Sequence, residues 1–213
     1  KALNGALPPV LLAGVLYLGS GTGLWFLSRV QRARGISGEA PLRRADVPWL
    51  AAIVLAGGVC GPALLMLGLA TTSASASSLL LNLEGVFTLG IAWIVFRENV
   101  DARVGLGAGA ILLAAGLLSW SGRTTGTGWG GLAIAGACLA WAIDNNLTRR
   151  LSASDPVQLA TIKGLAAGVI NVSLGVAVGG KWPGSGVIVA AAAIGSAGYG
   201  VSLVCFILAL RHL

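Results

Sequence analysis

The sequence predicts an all-α polytopic membrane protein, on three observations. Seven continuous apolar stretches of about membrane-spanning length fill the chain. Of its 213 residues, 56% are hydrophobic and only 10% are charged, against about 25% charged in a typical soluble domain. The basic residues gather in alternate loops. The mean hydropathy of +0.87 agrees. A soluble fold has no way to hide this much apolar surface. Continuous runs indicate helices, because barrel strands alternate every second residue over about ten residues.

The expected spans are residues 7–27, 48–70, 74–96, 104–120, 129–147, 157–179 and 187–210. Most approach the roughly 20 residues a bilayer requires, and 104–120 is the shortest. Loop 28–47 carries five arginines, 97–103 two and 148–156 two, with Arg211 after the last span. Loop 71–73 carries no basic residue, 121–128 one and 180–186 one, with Lys1 before the first span. Ten basic residues therefore fall on one side and three on the other, with Lys163 inside a span. The positive-inside rule places the first group in the cytoplasm, the start of the chain outside and its end inside. The chain begins with Lys1 and stops just after an apolar run, so both ends read as cut.

The net charge of +7 does not indicate nucleic acid, because the arginines sit in a loop between spans with no aromatic–basic motif. Cys60, Cys138 and Cys205 lie far apart inside apolar spans, and the sole histidine is His212. An odd cysteine count without CxxC spacing supports neither a disulfide framework nor a zinc site. No metal site or histidine-based triad is expected, and no cofactor is implied.

Glycine, 33 residues, is frequent within the spans, as at Gly105, Gly107, Gly109, Gly131, Gly136, Gly195, Gly198 and Gly200. Small residues let membrane helices approach closely, so a tight bundle is expected. Pro62 is expected to kink the second span. The glycine-rich segment 126–131 follows no strand and has no P-loop lysine, so it reads as a flexible turn. The glycosylation sequons at Asn146 and Asn171 fall in or beside spans and are discounted. Residues 57–69 can be laid on 198–210 at a shift of 141, matching Gly57, Leu67 and Leu69 to Gly198, Leu208 and Leu210. This echo fits a carrier built from two homologous halves, often of opposite orientation.

Glu84 stands near the middle of the 74–96 span. An intramembrane acid costs kcal/mol to insert, so it usually faces a protein interior and has a role. Ser73, Ser77, Glu84 and Thr88 share one helical stripe, at roughly 100° per residue. The functional reading is a polar substrate path, with Glu84 as cation partner or proton carrier. The structural alternative is a glutamate bonded to neighbouring helices. Gly85 suggests irregular backbone there, as at transporter sites with opened helices. Asp144 and Lys163 lie in the inner halves of consecutive spans with opposite charges, so an ion pair is conceivable, either structural or substrate-binding. Asn145, Asn146 and Asn171 add hydrogen-bonding capacity. Trp49, Trp93, Trp120, Trp129 and Trp182 stand near span ends as an interfacial belt, whereas Trp141 shares a face with Asp144.

The segment Gly68-Leu-Ala-Thr-Thr-Ser-Ala-Ser-Ala-Ser-Ser-Leu-Leu-Leu-Asn-Leu-Glu-Gly-Val-Phe-Thr88, followed by Trp93-Ile-Val-Phe-Arg-Glu98, resembles the EamA-like branch of the drug/metabolite transporter superfamily. Supporting stretches are residues 11–21, 141–149 and 209–213. The resemblance implies an inverted-repeat helical bundle of ten helices in the bacterial inner membrane. This chain would then cover helices two to eight, truncated at both ends. Residues 1–122 would be most of the first repeat and 123–213 an incomplete second. The family usually has proline after the motif glutamate, where this chain has Gly85. The implied activity is alternating-access transport, often export, of amino acids, other metabolites or drugs. The expected partners are the lipid bilayer, a small-molecule substrate and, if the carrier is coupled, protons. The residues expected to carry it are Glu84, Ser77 and Thr88, then Lys163, Asp144, Asn145 and Trp141. Two rivals stand beside this reading: a polytopic membrane enzyme, and a non-transporting assembly subunit.

Overall fold

The computed structural model describes residues 9–35, 40–120, 128–180, 182 and 184–210. Lys1, Arg123, Lys181, Arg211, His212 and residues 126–127 of the expected 126–131 turn lie outside the described residues, while Trp129 onward is helical. Among those described, the secondary structure is helical: α1 Pro9–Ala33, α2 Val47–Ile53, α3 Gly61–Leu69, α4 Ala74–Leu80, α5 Leu83–Ile94, α6 Ala102–Trp120, α7 Trp129–Leu151, α8 Pro156–Ala177, α9 Ser185–Ile194 and α10 Val201–Ala209. π-helical segments, Val54–Cys60 and Gly195–Gly200, join α2 to α3 and α9 to α10.

Among the described residues, five helical stretches are long and apolar enough to cross a membrane: Pro9–Ala33, Arg44–Leu69, Ala74–Ile94, Pro156–Ala177 and Ser185–Ala209. Helices also form at the other two expected places. α6 is apolar over the shorter stretch Ala102–Leu117. The last third of α7 carries Asp144, Asn145, Asn146, Arg149 and Arg150, which lowers its hydropathy. Large apolar side chains such as Leu106, Leu113, Leu117 and Val178 face outward, as lipid contact requires.

The chain forms two compact units, residues 1–59 with 147–213, and residues 60–146. In the first, α1 and α8 pack antiparallel along their lengths. Glycines make this possible on both helices: a Cβ on Gly14 would fall 2.6 Å from the backbone of Val172, and one on Gly21 2.6 Å from that of Leu165. Across the same seam Gly168 faces Leu18 and Gly175 faces Leu11. The seam is self-similar. Exchanging Gly14 with Gly168, Gly21 with Gly175, Leu11 with Leu165 and Leu18 with Val172 returns the same four contacts. At one end Leu24, Leu50, Ile53, Leu151, Leu159, Ala160 and Ile207 close an apolar cluster. Arg150 stacks on Trp49 at 4.2 Å, which anchors that end as a cation–π pair.

The kink expected at Pro62 takes the form of the first π segment. Proline donates no N–H, so a carbonyl one turn back loses its partner. Asn171 of α8 supplies the substitute, donating from Nδ2 to Gly58 O at 2.6 Å and to Ala167 O at 2.8 Å.

In the second unit, Leu83, Ile134 and Cys138 form the buried cluster, with Leu65, Leu80, Leu81 and Phe87 against it. Here one packing expectation is corrected. A Cβ on Gly105, Gly107 or Gly109 of α6 would meet nothing within 4 Å. Gly105 and Gly109 instead line an apolar groove of about 480 Å³ between α5 and α6. The close approach expected of glycine occurs in the α1–α8 seam and at Gly195, where the backbone of Leu16 is in contact.

Candidate functional site

The span that carries Glu84 is distorted by a tight turn at Leu81 and Asn82, whose backbone stays right-handed helical. α4 ends at Leu80, Leu81 and Asn82 form a turn, and α5 restarts at Leu83. Irregularity was expected at Gly85, but Gly85 is helical, and the distortion lies just before it. The physical reason is local. Asn82 donates from Nδ2 to Ser78 O at 3.1 Å and Leu79 O at 3.2 Å, satisfying carbonyls that a continuous helix would use. Ser77 and Ser78 bond back to Ser73 O and Ser75 O in the same way. The thiol of Cys138 lies 3.5 Å from Leu80 O and 3.8 Å from Leu81 O, covering the turn from α7.

Glu84 follows that turn, in the first turn of α5. Its Oε1 accepts a hydrogen bond from Asn145 Nδ2 at 2.9 Å. The other Asn145 amide hydrogen points toward Thr88 Oγ1 at 3.5 Å. Asn146, next on α7, donates to Thr88 O at 3.1 Å and Ala142 O at 2.9 Å. Two consecutive asparagines of α7 thus grip one turn of α5, and one of them orients the carboxylate.

The structure brings together Glu84, Thr88 and Asn145. Ser77 is buried one turn before the distortion, bonded within its own helix. Trp141 lies one turn before Asn145 on α7 and packs on Gly61, where a Cβ would fall 2.5 Å from its Nε1. Asp144 is buried on α7 in the second unit. Lys163 is buried on α8 in the first. Two contributors were not singled out as site residues, Asn146 and Cys138. Their signal in the sequence was position: Asn146 is the residue after Asn145, and Cys138 lies seven residues, about two turns, before it. No group of three or more metal-ligating side chains occurs among the described residues.

Residues 1–120 match the EamA-like transporter family, which is more than half of the chain. The protein belongs to that family. It is 25% identical over 185 residues to a protein of Methanothermobacter thermautotrophicus described as an uncharacterized transporter. That match covers 80% of this chain and 54% of the relative, so the chain spans about half the relative's length. A solved crystal structure shares the fold with a TM-score of 0.72 at 18% identity, over 99% of this chain and 74% of the other. The family and the apolar helices make this a multi-pass membrane protein of a transporter family.

Proposed function

We propose that the chain is part of a secondary carrier of the plasma membrane that exports small metabolites or amino-acid-like solutes by alternating access. Glu84 is the group that binds a cationic part of the substrate or carries a proton. The observation behind this reading is the Asn145–Glu84 hydrogen bond at 2.9 Å beside the distorted turn at Leu81 and Asn82. A structural glutamate needs only a partner. Here the partner holds the carboxylate just after the turn at Leu81 and Asn82 that distorts its helix, and local helix irregularity is common at transport sites. Thr88 and Asn145 complete the polar surface around it. Ser77, Trp141 and Asp144 are proposed as further pathway residues of the second unit, and Lys163 as a substrate contact of the first. The two-repeat organisation, residues 1–122 and 123–213, is supported by the π segments, which stand 141 residues apart at the place of the sequence echo.

The test is flux. Glu84→Gln keeps the shape of the side chain and removes its charge. Reconstituted in sealed vesicles, the unaltered protein is expected to exchange radiolabelled amino acids or amines, with a pH-sensitive dye inside reporting any coupled proton movement. The variant is expected to be inserted normally and to lose flux. Unchanged flux in the variant refutes the role of Glu84. A complete lack of flux in the unaltered protein, together with a stable partner on purification, favours the assembly-subunit reading.

A further inference from the structure

A π turn holds an extra residue against the same axial rise, so its hydrogen bonds are weaker and its register is easily changed. This chain has such turns at Val54–Cys60 and Gly195–Gly200. Their causes differ. The first precedes Pro62, and the second is the glycine-rich run Gly-Ser-Ala-Gly-Tyr-Gly. Their positions nevertheless correspond, because the shift of 141 that aligns residues 57–69 with 198–210 lays Val54 on Gly195.

Each segment faces a polar side chain from the α1–α8 pair. Asn171 of α8 bonds Gly58 O in the first. Tyr17 of α1 reaches Tyr199 in the second, hydroxyl to hydroxyl at 3.0 Å, with the rings edge-on at 5.0 Å and 73°. The exchange that maps the α1–α8 seam on itself also exchanges Asn171 with Tyr17, while the shift of 141 takes Gly58 to Tyr199. These contacts are therefore counterparts. Tyr17 does one thing more: its hydroxyl also donates to Gly57 O, at 3.4 Å, in the first segment. When Tyr17 donates to Gly57 O, Tyr199 is the donor of the hydroxyl pair. One hydroxyl thus joins Tyr199 of the second segment to the backbone of the first.

Each segment also has a spare buried acceptor beside it. Asn171 Oδ1 and Ser20 Oγ are buried without a hydrogen-bond partner among the described residues. Asn171 adjoins Gly58, and a Cβ on Gly200 would fall 3.2 Å from Ser20 Oγ. Such atoms are costly to leave unmade in a low-dielectric interior. A register change in the adjacent turn would present them with new partners. The boundary between the compact units falls between Val59 and Cys60, inside the first segment.

We propose that the two π segments are paired hinges and that the Tyr17 hydroxyl couples them, so that a register change in one is transmitted to the other. This inference uses no part of the Glu84 site and does not depend on the substrate.

Residue-resolved hydrogen exchange of the full chain in lipid nanodiscs tests it. In the unaltered protein, amides in both segments are expected to exchange at least about tenfold faster than those of the flanking turns in α2 and α10, the equivalent of ~1.4 kcal/mol. Tyr17→Phe keeps the ring and removes the hydroxyl, and is expected to accelerate exchange several-fold in both segments. Asn171→Leu is expected to accelerate only the first. Pro62→Ala restores the missing N–H and is expected to slow the first segment to the rate of its flanks. Through Tyr17 it should also slow the second, which Pro62 does not belong to. A purely structural role for Tyr17 and Pro62 would leave the remote segment unmoved. Exchange in the segments no faster than in their flanks overturns the hinges. A Pro62→Ala effect confined to the first segment overturns the coupling, even if the other variants fail to fold.

Discussion

Asn145 makes the candidate site more than a lone acid in a membrane. Its amide has two hydrogens and uses them on Glu84 and Thr88, so the carboxylate is held in one orientation relative to α5. Asn145→Leu keeps the approximate volume and removes both bonds. Flux is expected to fall at least about tenfold, the scale of losing a hydrogen bond of ~1.5–3 kcal/mol to a charged group. Vesicle assays at matched protein insertion check this. A variant that transports normally would make Asn145 a packing residue. The acid and the asparagine were each visible in the sequence, because an ionisable or amide group within an apolar run stands out. Their pairing was not visible, since it depends on how α7 lies against α5. Tyr17 was not visible at all. A tyrosine in an apolar helix is ordinary, and only its contacts with Gly57 and Tyr199 give it meaning.

Among the elements, glycines of similar sequence context do opposite things. On α8, a Cβ at Gly168 would fall 2.7 Å from the backbone nitrogen of Leu18, so α1 would have to move away. Gly168→Ala is expected to destabilise the protein by about 1–3 kcal/mol, the range for overpacking a close interface. On α6, Gly107 faces open space. Gly107→Ala is expected to be neutral or to stabilise by up to ~1 kcal/mol, through helix propensity alone. Thermal unfolding in detergent separates the two, and equal effects would contradict the observed seam. Helix existence was readable from apolar length, and the flaws in the helices were readable only in part. Pro62 announced a kink. The distortion at Leu81–Asn82 contains neither glycine nor proline, and it follows from an asparagine and two serines bonding back to their own backbone.

For the whole molecule, the loop charges predict an orientation that a labelling experiment can read. Ala40 lies in the arginine-rich loop and Gly128 at the start of α7, both exposed. With Cys60 and Cys205 replaced, a cysteine at Gly128 is expected to react with a membrane-impermeant maleimide on intact cells. A cysteine at Ala40 is expected to react only after permeabilisation. The reverse pattern would invert the assignment of sides and the proposed direction of transport.

Composition and pattern alone determined that this is a helical membrane protein, where its helices lie and which acid stands in the middle of a span. These are consequences of transfer free energy, which depends on residue type and run length and needs no knowledge of neighbours. The family resemblance was also legible, because the serine-rich motif before Glu84 is contiguous in sequence. The tertiary structure alone decided which glycines touch a neighbour, where the third span is distorted, that Asn145 and Asn146 grip α5, and that the π segments meet at Tyr17. These depend on helix-to-helix register. In a membrane that register is set by close packing and a few directional hydrogen bonds, since lipid and apolar side chains are nearly equivalent as solvent.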